Sequence, residues 1–235
     1  MSDARLESGV SAVVPAAGAG LRFGGDKIWE DLCGQPVLGW VLRALGDPSS
    51  GVSELVVVID AKDHRRVVEL SAALAPRLGC RCVGGGPRRQ DSVANGLSAC
   101  SRGMVVVHDG ARPGVSTELL VRVIGAARRV GAATAYVPVV DSTARILDGE
   151  LEQVLPRAEL GAIQTPQAFE LALIRRAHEH ARVSGLEADD DAALVRAIGR
   201  PVAAVLGEPR NLKVTKGEDM DALRSWFAHL ERARS

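Results

Sequence analysis

The chain has 235 residues, of which 46% are hydrophobic and 25% charged, as is usual for a globular protein long enough to bury a substantial core. Its 29 basic and 29 acidic residues leave no net charge, which argues against nucleic acid or a membrane surface as the main partner. No apolar run is long enough to span a bilayer, and residues 1–9 lack the apolar core of a secretory signal. We therefore expect a cytoplasmic protein of bacterial type.

The first predicted element is a short buried strand at residues 10–14, which ends in a loop made largely of alanine and glycine. Small residues allow the backbone to approach a ligand closely, and free N–H groups in such a loop point at anions. Two cations in the loop, Arg22 and Lys27, would neutralise the charge that the backbone cannot. The pattern predicts a nucleoside triphosphate loop. The small residues of this loop that we predict to bind the nucleotide are Ala16, Ala17, Gly18 and Gly20.

Other glycine-rich loops fit less well. A Walker phosphate loop ends in Gly-Lys-Ser or Gly-Lys-Thr, which residues 25–28 do not provide. The dinucleotide fingerprint is closer, because Gly18, Gly20 and Gly24 follow a strand. However, its last glycine is one position late, and no acidic residue ends a second strand about 20 residues further on. A lone glycine cluster also fits a turn without a ligand, and the two embedded cations argue against that.

Strands and helices alternate along the next part of the chain, which predicts an α/β fold with a Rossmann-like, doubly wound and mostly parallel sheet. Buried strands are predicted at 55–59, 81–83, 104–107 and 132–139, and helices at 36–45, 62–74, 87–99 and 117–130. We expect one domain spanning residues 1–235. Because ligands on such sheets bind at the carboxyl ends of strands, three polar, glycine-rich stretches should gather on one edge. These stretches are residues 15–27, 84–92 and 108–113.

The alternation breaks at Asp141. Residues 144–147 and 151–155 flank Asp148-Gly149, a strong hairpin turn, so we predict a β-arm at about 141–160 that projects from the sheet. A two-stranded hairpin is marginal by itself in water, and a second subunit is the natural surface for it to pack on.

The last third of the chain is predicted to return to the sheet. Residues 161–169 rejoin the core, and three acids at 189–191 are typical of a helix start. The elements predicted here are helices at 171–182 and 190–198, a strand at 202–206 and a closing helix from about residue 217.

Five motifs occur in order along this chain. They are Pro-Ala-Ala-Gly-x-Gly-x-Arg at 15–22 followed by Lys27, Gly-Gly-x-x-Arg-x-x-Ser-Val at 85–93, His-Asp-Gly-Ala-Arg-Pro at 108–113, Thr-Pro-Gln-x-Phe at 165–169 and Asn-Leu-Lys-Val-Thr at 211–215. From residue 13 to about residue 221, the chain resembles the 2-C-methyl-D-erythritol 4-phosphate cytidylyltransferases of the non-mevalonate isoprenoid pathway. The resemblance implies a single nucleotidyltransferase domain that dimerises through the β-arm. It also implies transfer of CMP from CTP to methylerythritol phosphate, with release of pyrophosphate.

On the nucleotide side, the resemblance implies that Arg22 and Lys27 bind the triphosphate and stabilise charge that builds at the attacked phosphorus. Mg²⁺ would be held mainly by the CTP phosphates, and no side chain is predicted as a metal ligand. The other residues implied to bind the nucleotide are Gly85, Gly86, Arg89 and Ser92 at the cytosine and Asp109 at the ribose.

On the acceptor side, the resemblance implies that Arg157 and Lys213 hold the phosphate in line with the α-phosphate of CTP. Because Arg157 lies on the predicted arm, it would serve the neighbouring subunit's site. The attacking phosphate oxygen is already ionised at neutral pH, so no general base is required and His108 is expected only to pack or hydrogen-bond locally. The other implied contacts are Asp109 and Arg112 at the acceptor's hydroxyls, with Ser142 and Thr165 adding their own hydroxyl groups.

The chain departs from the family pattern around Lys27, which is commonly preceded by proline and followed by Gln-Tyr or a similar pair. Here it lies in Asp26-Lys27-Ile28-Trp29, in a shorter loop. Ser142 takes the place of a threonine and keeps its hydroxyl, and Gly110 takes the place of an alanine. None of these changes removes a charge that the mechanism needs.

Three alternatives stay open. A ribitol 5-phosphate cytidylyltransferase would use the same CTP-side residues and differ around Ser142, Arg157 and Thr165. A nicotinamide oxidoreductase is disfavoured by the missing ribose acid and by the two loop cations. A non-catalytic nucleotide-binding homologue is disfavoured because the expected cations are intact.

Overall fold

The computed structural model describes residues 9–18 and 26–232. The strands of this part of the chain are β1 (Val10–Pro15), β2 (Asp31–Leu32), β3 (Gln35–Pro36), β4 (Val52–Val58), β5 (Cys80–Val83), β6 (Met104–Val107), β7 (Ala132–Pro138), β8 (Thr143–Leu147), β9 (Glu150–Leu155), β10 (Gly161–Glu170) and β11 (Ala203–Leu206). The α-helices are α1 (Val37–Gly46), α2 (His64–Leu74), α3 (Arg89–Ser98), α4 (Thr117–Val130), α5 (Leu171–Ser184), α6 (Asp191–Ala197) and α7 (Gly217–Arg232).

Seven strands form one sheet in the order β11-β7-β10-β6-β1-β4-β5. β10 pairs antiparallel with both β6 and β7, whereas the other pairs in the sheet are parallel. The prediction of a mostly parallel α/β sheet is confirmed. The carboxyl ends of β1, β4, β5 and β6 therefore meet at one edge, and the start of the β10–β6 pairing at Gln167–Val107 brings the preceding residues of β10 to the same edge.

Two apolar clusters cover the two faces of the sheet, as the continuous β-branched runs of the strands require. Alternate residues of one strand belong to different clusters: Val14 faces the side of α1, α4 and α7, while Val13 faces the side of α3, α5 and α6. Helices on both faces are the arrangement that a doubly wound sheet needs.

Helix α4 illustrates why the sequence analysis placed most helices within about two residues. The Ser116 hydroxyl accepts a hydrogen bond from the backbone N–H of Leu119 at 3.0 Å, and so caps the first turn. At the other end Gly131 takes a left-handed conformation with φ of 94°, which a glycine adopts without steric cost. The observed bounds are those predicted.

The small β2–β3 hairpin before α1 was not predicted from the sequence. Its strands have two residues each, too short for an alternating pattern, and its turn places Cys33 at φ of 52°, where a non-glycine residue is uncommon. This hairpin carries the chain from Trp29 into α1 without a longer loop.

Strands β8 and β9 form the predicted hairpin, with Asp148 and Gly149 both at positive φ as a tight two-residue turn requires. Leu151 lies opposite Ile146 in this pair, and both side chains are about 60% exposed, at 62% and 59%. Val154, further along β9, is 57% exposed. The hairpin thus presents an apolar surface on one chain.

None of the helices in the described residues is both long enough and apolar enough to cross a membrane.

Candidate active site

A cavity of about 370 Å³ opens at the edge of the sheet where the strands' carboxyl ends meet. The three stretches predicted to gather there do so in their described parts, since each contributes to the cavity wall. The predicted site residues that line the cavity are Ala16, Ala17, Gly18, Lys27, Gly86, Arg89, Ser92, Asp109 and Lys213.

The first loop reaches the cavity directly from β1. The backbone N–H of Ala16 donates to the carbonyl of Val58 at 2.8 Å, which continues the β1–β4 pairing to the cavity wall. A Cβ built on Gly18 would meet no atom of the described residues within 4 Å, so the backbone faces open space there. The predicted residues Gly20 and Arg22 lie outside the described part of the chain.

Lys27 begins a short 3₁₀ turn, Lys27–Trp29, that contacts α1 and buries the side chain of Ile28. The guanidinium of Arg66 lies 3.8 Å from the centre of the Trp29 ring, a cation–π contact, and the Lys62 ammonium is 3.9 Å from the carboxylate of Asp26. Trp29 therefore connects the Lys27 turn to α2, and Asp26 connects it to the residues just before that helix.

The glycine pair at 85–86 is required by close packing. A Cβ on Gly85 would lie 2.5 Å from the Cβ of Ala17, and one on Gly86 would lie 2.5 Å from that of Asp91. The Ser92 hydroxyl oxygen accepts a hydrogen bond from the Gly86 N–H at 3.0 Å, which holds this loop on the first turn of α3. Gly86 and Ser92 line the cavity, and Gly85 supports it from behind.

Asp109 is the carboxylate around which three of the predicted cations meet. Its Oδ2 lies 2.8 Å from Lys213 Nζ and 3.6 Å from Arg112 Nε, and its Oδ1 lies 3.2 Å from Arg89 Nε. Burial alone would raise the pKa of Asp109, but the charges of Arg89 and Lys213 outweigh it and hold the pKa well below its usual value. The carboxylate therefore stays ionised and holds three cations in place, of which Arg89 and Lys213 line the cavity.

Thr165 contacts Asp109 through the backbone. Its hydroxyl accepts a hydrogen bond from the Asp109 N–H at 3.0 Å and lies 3.2 Å from Nδ1 of His108. His108 Nε2 lies 3.1 Å from the carbonyl of Arg112, and because a carbonyl can only accept, Nε2 carries the proton. Burial lowers the pKa of His108 to about 4, so the ring is neutral at pH 7. The local role expected for His108 agrees with these contacts.

Asn211 connects three of these segments, and the sequence analysis gave it no role of its own. Its side-chain amide donates to the carbonyl of Thr165 at 2.6 Å, and its backbone carbonyl accepts from Arg112 Nη1 at 2.9 Å. The residue is fully buried. Its position two residues before Lys213 means that these bonds set where the Lys213 loop runs.

Asp191 is a second residue that the sequence analysis missed. Asp190 caps α6, as expected for an acid at a helix start, since its carboxylate accepts from the Ala193 N–H at 2.9 Å. Asp191 instead points inward, is 1% exposed and lies 2.9 Å from Arg89 Nη1. A run of three acids gives no signal that one of them is buried against an arginine.

Ser142 and Arg157 do not line the cavity. Both are exposed, and the Arg157 guanidinium donates to the carbonyl of Val140 at 3.0 Å, at the base of the hairpin. Within one chain the other acceptor-side residues that the structure describes lie together, whereas Ser142 and Arg157 lie apart from them. The residues that lie together are Asp109, Arg112, Thr165 and Lys213.

A larger cavity of about 660 Å³ lies on the other side of Arg88 and Arg89, between the start of α3 and residues 186–197. None of the other predicted site residues lines it, so we assign the site to the smaller cavity. Among the described residues, no group of three or more His, Cys, Asp or Glu could hold a metal ion.

A sheet covered by helices on both faces, with a glycine-bordered and cation-lined cavity at the carboxyl ends of its strands, defines a nucleotide-binding α/β protein. Residues 10–227 match the family model of 2-C-methyl-D-erythritol 4-phosphate cytidylyltransferase (IspD). The chain belongs to this family.

Named relatives agree with this assignment over nearly the whole chain. A 2-C-methyl-D-erythritol 4-phosphate cytidylyltransferase of Pelotomaculum thermopropionicum is 44% identical over 90% of this chain and 91% of its own length. The crystal structure of the protein of that name from Thermus thermophilus is 39% identical, with a TM-score of 0.77, over 93% of this chain and 98% of that one. A 4-diphosphocytidyl-2C-methyl-D-erythritol synthase from Anaerococcus prevotii gives a TM-score of 0.84 at 29% identity, over 94% of this chain and 99% of that one.

Proposed function

We propose that this chain transfers CMP from CTP to 2-C-methyl-D-erythritol 4-phosphate. The products are 4-diphosphocytidyl-2-C-methyl-D-erythritol and pyrophosphate, and the reaction serves isoprenoid precursor biosynthesis in the cytoplasm of a bacterial cell. The observation that carries the proposal is the convergence of Arg89, Arg112 and Lys213 on Asp109 beside a glycine-bordered cavity. The names of the bacterial relatives support the substrates.

The acceptor phosphate oxygen attacks the α-phosphorus of CTP, a new P–O bond forms, and the bond to the bridging oxygen breaks as pyrophosphate leaves. An ionised phosphate oxygen needs no general base. Fixed positive charge and in-line positioning then supply most of the catalysis. We assign the triphosphate to Arg22 and Lys27, the acceptor phosphate to Lys213, and the hydroxyl groups to Asp109 and Arg112.

Mg²⁺ completes the proposal as a cofactor held mainly by the CTP phosphates. The donor set suits this, because Asp109 is the one predicted carboxylate at the cavity and three cations already engage it. Mg²⁺ usually keeps several of its waters and binds substrate phosphates, so it does not need a cage of protein ligands. When bound, it would neutralise charge on the phosphates.

The homodimer is part of the proposal. The hairpin carries exposed Ile146, Leu151 and Val154, an apolar surface suited to pairing with a second copy of the chain. Arg157 lies two residues after the end of β9 and does not line the cavity of its own chain. We therefore propose that Arg157 reaches the acceptor phosphate in the partner's site.

The test is pyrophosphate release from CTP and Mg²⁺, with methylerythritol phosphate and ribitol 5-phosphate offered separately. We expect turnover with methylerythritol phosphate alone. Turnover with ribitol 5-phosphate alone would overturn the acceptor and leave the nucleotide assignment standing. CTP binding without turnover on either acceptor would identify a non-catalytic homologue.

A further inference from the structure

Arg89 is held from two sides by two different carboxylates. Its Nε and Nη2 both lie 3.2 Å from Oδ1 of Asp109, and its Nη1 lies 2.9 Å from Oδ2 of Asp191. An arginine side chain has five N–H donors in a rigid plane, and these contacts use three of them. Arg89 also lines the cavity, so a ligand bound there meets a guanidinium plane of fixed orientation.

Asp191 is itself held by groups from two other elements. Its Oδ1 accepts a hydrogen bond from His178 Nε2 of α5 at 3.0 Å. The Gln167 side-chain carbonyl accepts from the backbone N–H groups of Asp191 and Ala192, at 3.2 and 3.1 Å. Burial opposes ionisation of Asp191, yet the His178 hydrogen bond and the Arg89 charge keep its pKa below the usual value. The carboxylate therefore has one defined position.

We propose that Asp191 is a positioning residue for CTP binding, with His178 orienting its carboxylate, so that Arg89 is presented to the nucleotide in one conformation. The proposal rests on the proposed function, since it takes Arg89 as a nucleotide-binding residue. The relay runs from His178 through Asp191 to Arg89.

The ion pair is not needed to start the helix. Asp190 already caps α6, and a buried ion pair is weak evidence of a stability role because its desolvation offsets much of its attraction. Asp109 alone cannot fix Arg89 in the same way, because it is shared with Lys213 and Arg112. The second carboxylate sets the orientation.

The test compares CTP binding by wild type and by Asp191→Asn and Asp191→Ala, measured by calorimetry with CTP and Mg²⁺, together with the melting temperature. We expect the dissociation constant to rise about tenfold in the alanine variant and less in the asparagine variant, whose amide oxygen still accepts a hydrogen bond. The KM for the acceptor should stay within about twofold of wild type if only nucleotide binding is affected. Asp190→Asn, which removes a charge one residue away from Asp191, is the matched control and should bind CTP as wild type does.

Histidine variants test the relay separately. His178→Gln keeps an N–H donor and should retain CTP affinity, whereas His178→Leu should weaken it. His180→Leu, at an exposed position on the same helix, is the control. If the Asp191 and His178→Leu variants bind CTP as wild type does, the proposal is wrong. If the Asp191 variants bind CTP and the acceptor more weakly to the same extent, and also melt at a lower temperature, Asp191 has only a structural role and the proposal is wrong. Because CTP binding is measured without the acceptor, failure of turnover on methylerythritol phosphate leaves this comparison intact.

Discussion

Lys213 Nζ lies 2.8 Å from Asp109 Oδ2, which joins the loop after β11 to the loop after β6. The two residues come from motifs at 211–215 and 108–113 that are distant in the sequence. Asp109 is 6% exposed, and Lys213, at the cavity wall, is 36% exposed in its side chain. The ammonium is thus held in place but remains accessible to a phosphate.

Replacing Lys213 by alanine should reduce kcat/KM by about a hundredfold or more, because a fixed positive charge at the phosphates is lost. Steady-state pyrophosphate release measures this. Lys216→Ala is the control, since that lysine is exposed three residues further on. Equal losses in both variants would mean that the loop, not the Lys213 charge, matters.

Mixing two inactive variants should restore activity if Arg157 serves the partner's site. In a heterodimer of Lys213→Ala and Arg157→Ala chains, one site combines an intact Lys213 with an intact Arg157 from the other chain. An equal mixture with random exchange should therefore regain about a quarter of wild-type activity. No regain, with exchange demonstrated by differently tagged chains, would place Arg157 in its own chain's site.

Leu151→Glu should weaken the dimer by more than about tenfold, because it buries a charge in the apolar surface of the hairpin. Analytical ultracentrifugation over a range of concentrations measures the dissociation constant. Val183→Glu makes the same kind of change at an exposed valine, 72% exposed, on α5. A dimer unaffected by Leu151→Glu would contradict the proposed interface.

His108 should make the free energy of unfolding depend on pH between about 6.5 and 4. Its pKa in the fold is about 4, so between these values the unfolded chain binds a proton that the folded chain does not, and stability falls as the pH falls. Between about pH 7 and about pH 5 the loss from this residue is of the order of 2 kcal/mol. Urea unfolding of wild type and His108→Gln measures it, and the same loss in the variant would contradict the assignment. Asp109 and Asp191, whose pKa values are lowered, contribute stability that is lost only as the pH falls below about 4.

Gly114→Ala should displace the Lys213 loop, because a Cβ on Gly114 would overlap the carbonyl oxygen of Arg210. We expect a loss of roughly 1–3 kcal/mol in stability and a fall in activity. Gly79→Ala, where a Cβ would meet nothing within 4 Å, is the control for both measurements. An unchanged melting temperature in Gly114→Ala would show that the loop adapts.

Local sequence determined the positions of the helices and strands, and with them the sheet edge at which the carboxyl ends of the parallel strands meet. Residues 52–58 and 104–107 are runs of mostly β-branched residues, and Ser116 and Gly131 are strong caps, so strand and helix positions follow from short-range preferences. Lys213 and Thr165 could be assigned because each lies in a motif that the chain shares with the family it resembles.

Only the tertiary structure decided which buried polar groups bond to each other. Asp191 looks in sequence like its neighbour Asp190, yet the packing of α5 against α6 turns it toward His178 and Arg89. Asn211 likewise has no distinctive spacing, and its role appears only where three loops meet. Burial and pairing depend on contacts between residues far apart in the chain, whereas helix starts and strand runs depend on neighbours. For that reason the sequence by itself determined the fold and most of the cavity wall, and the folded chain alone decided how its charges are held.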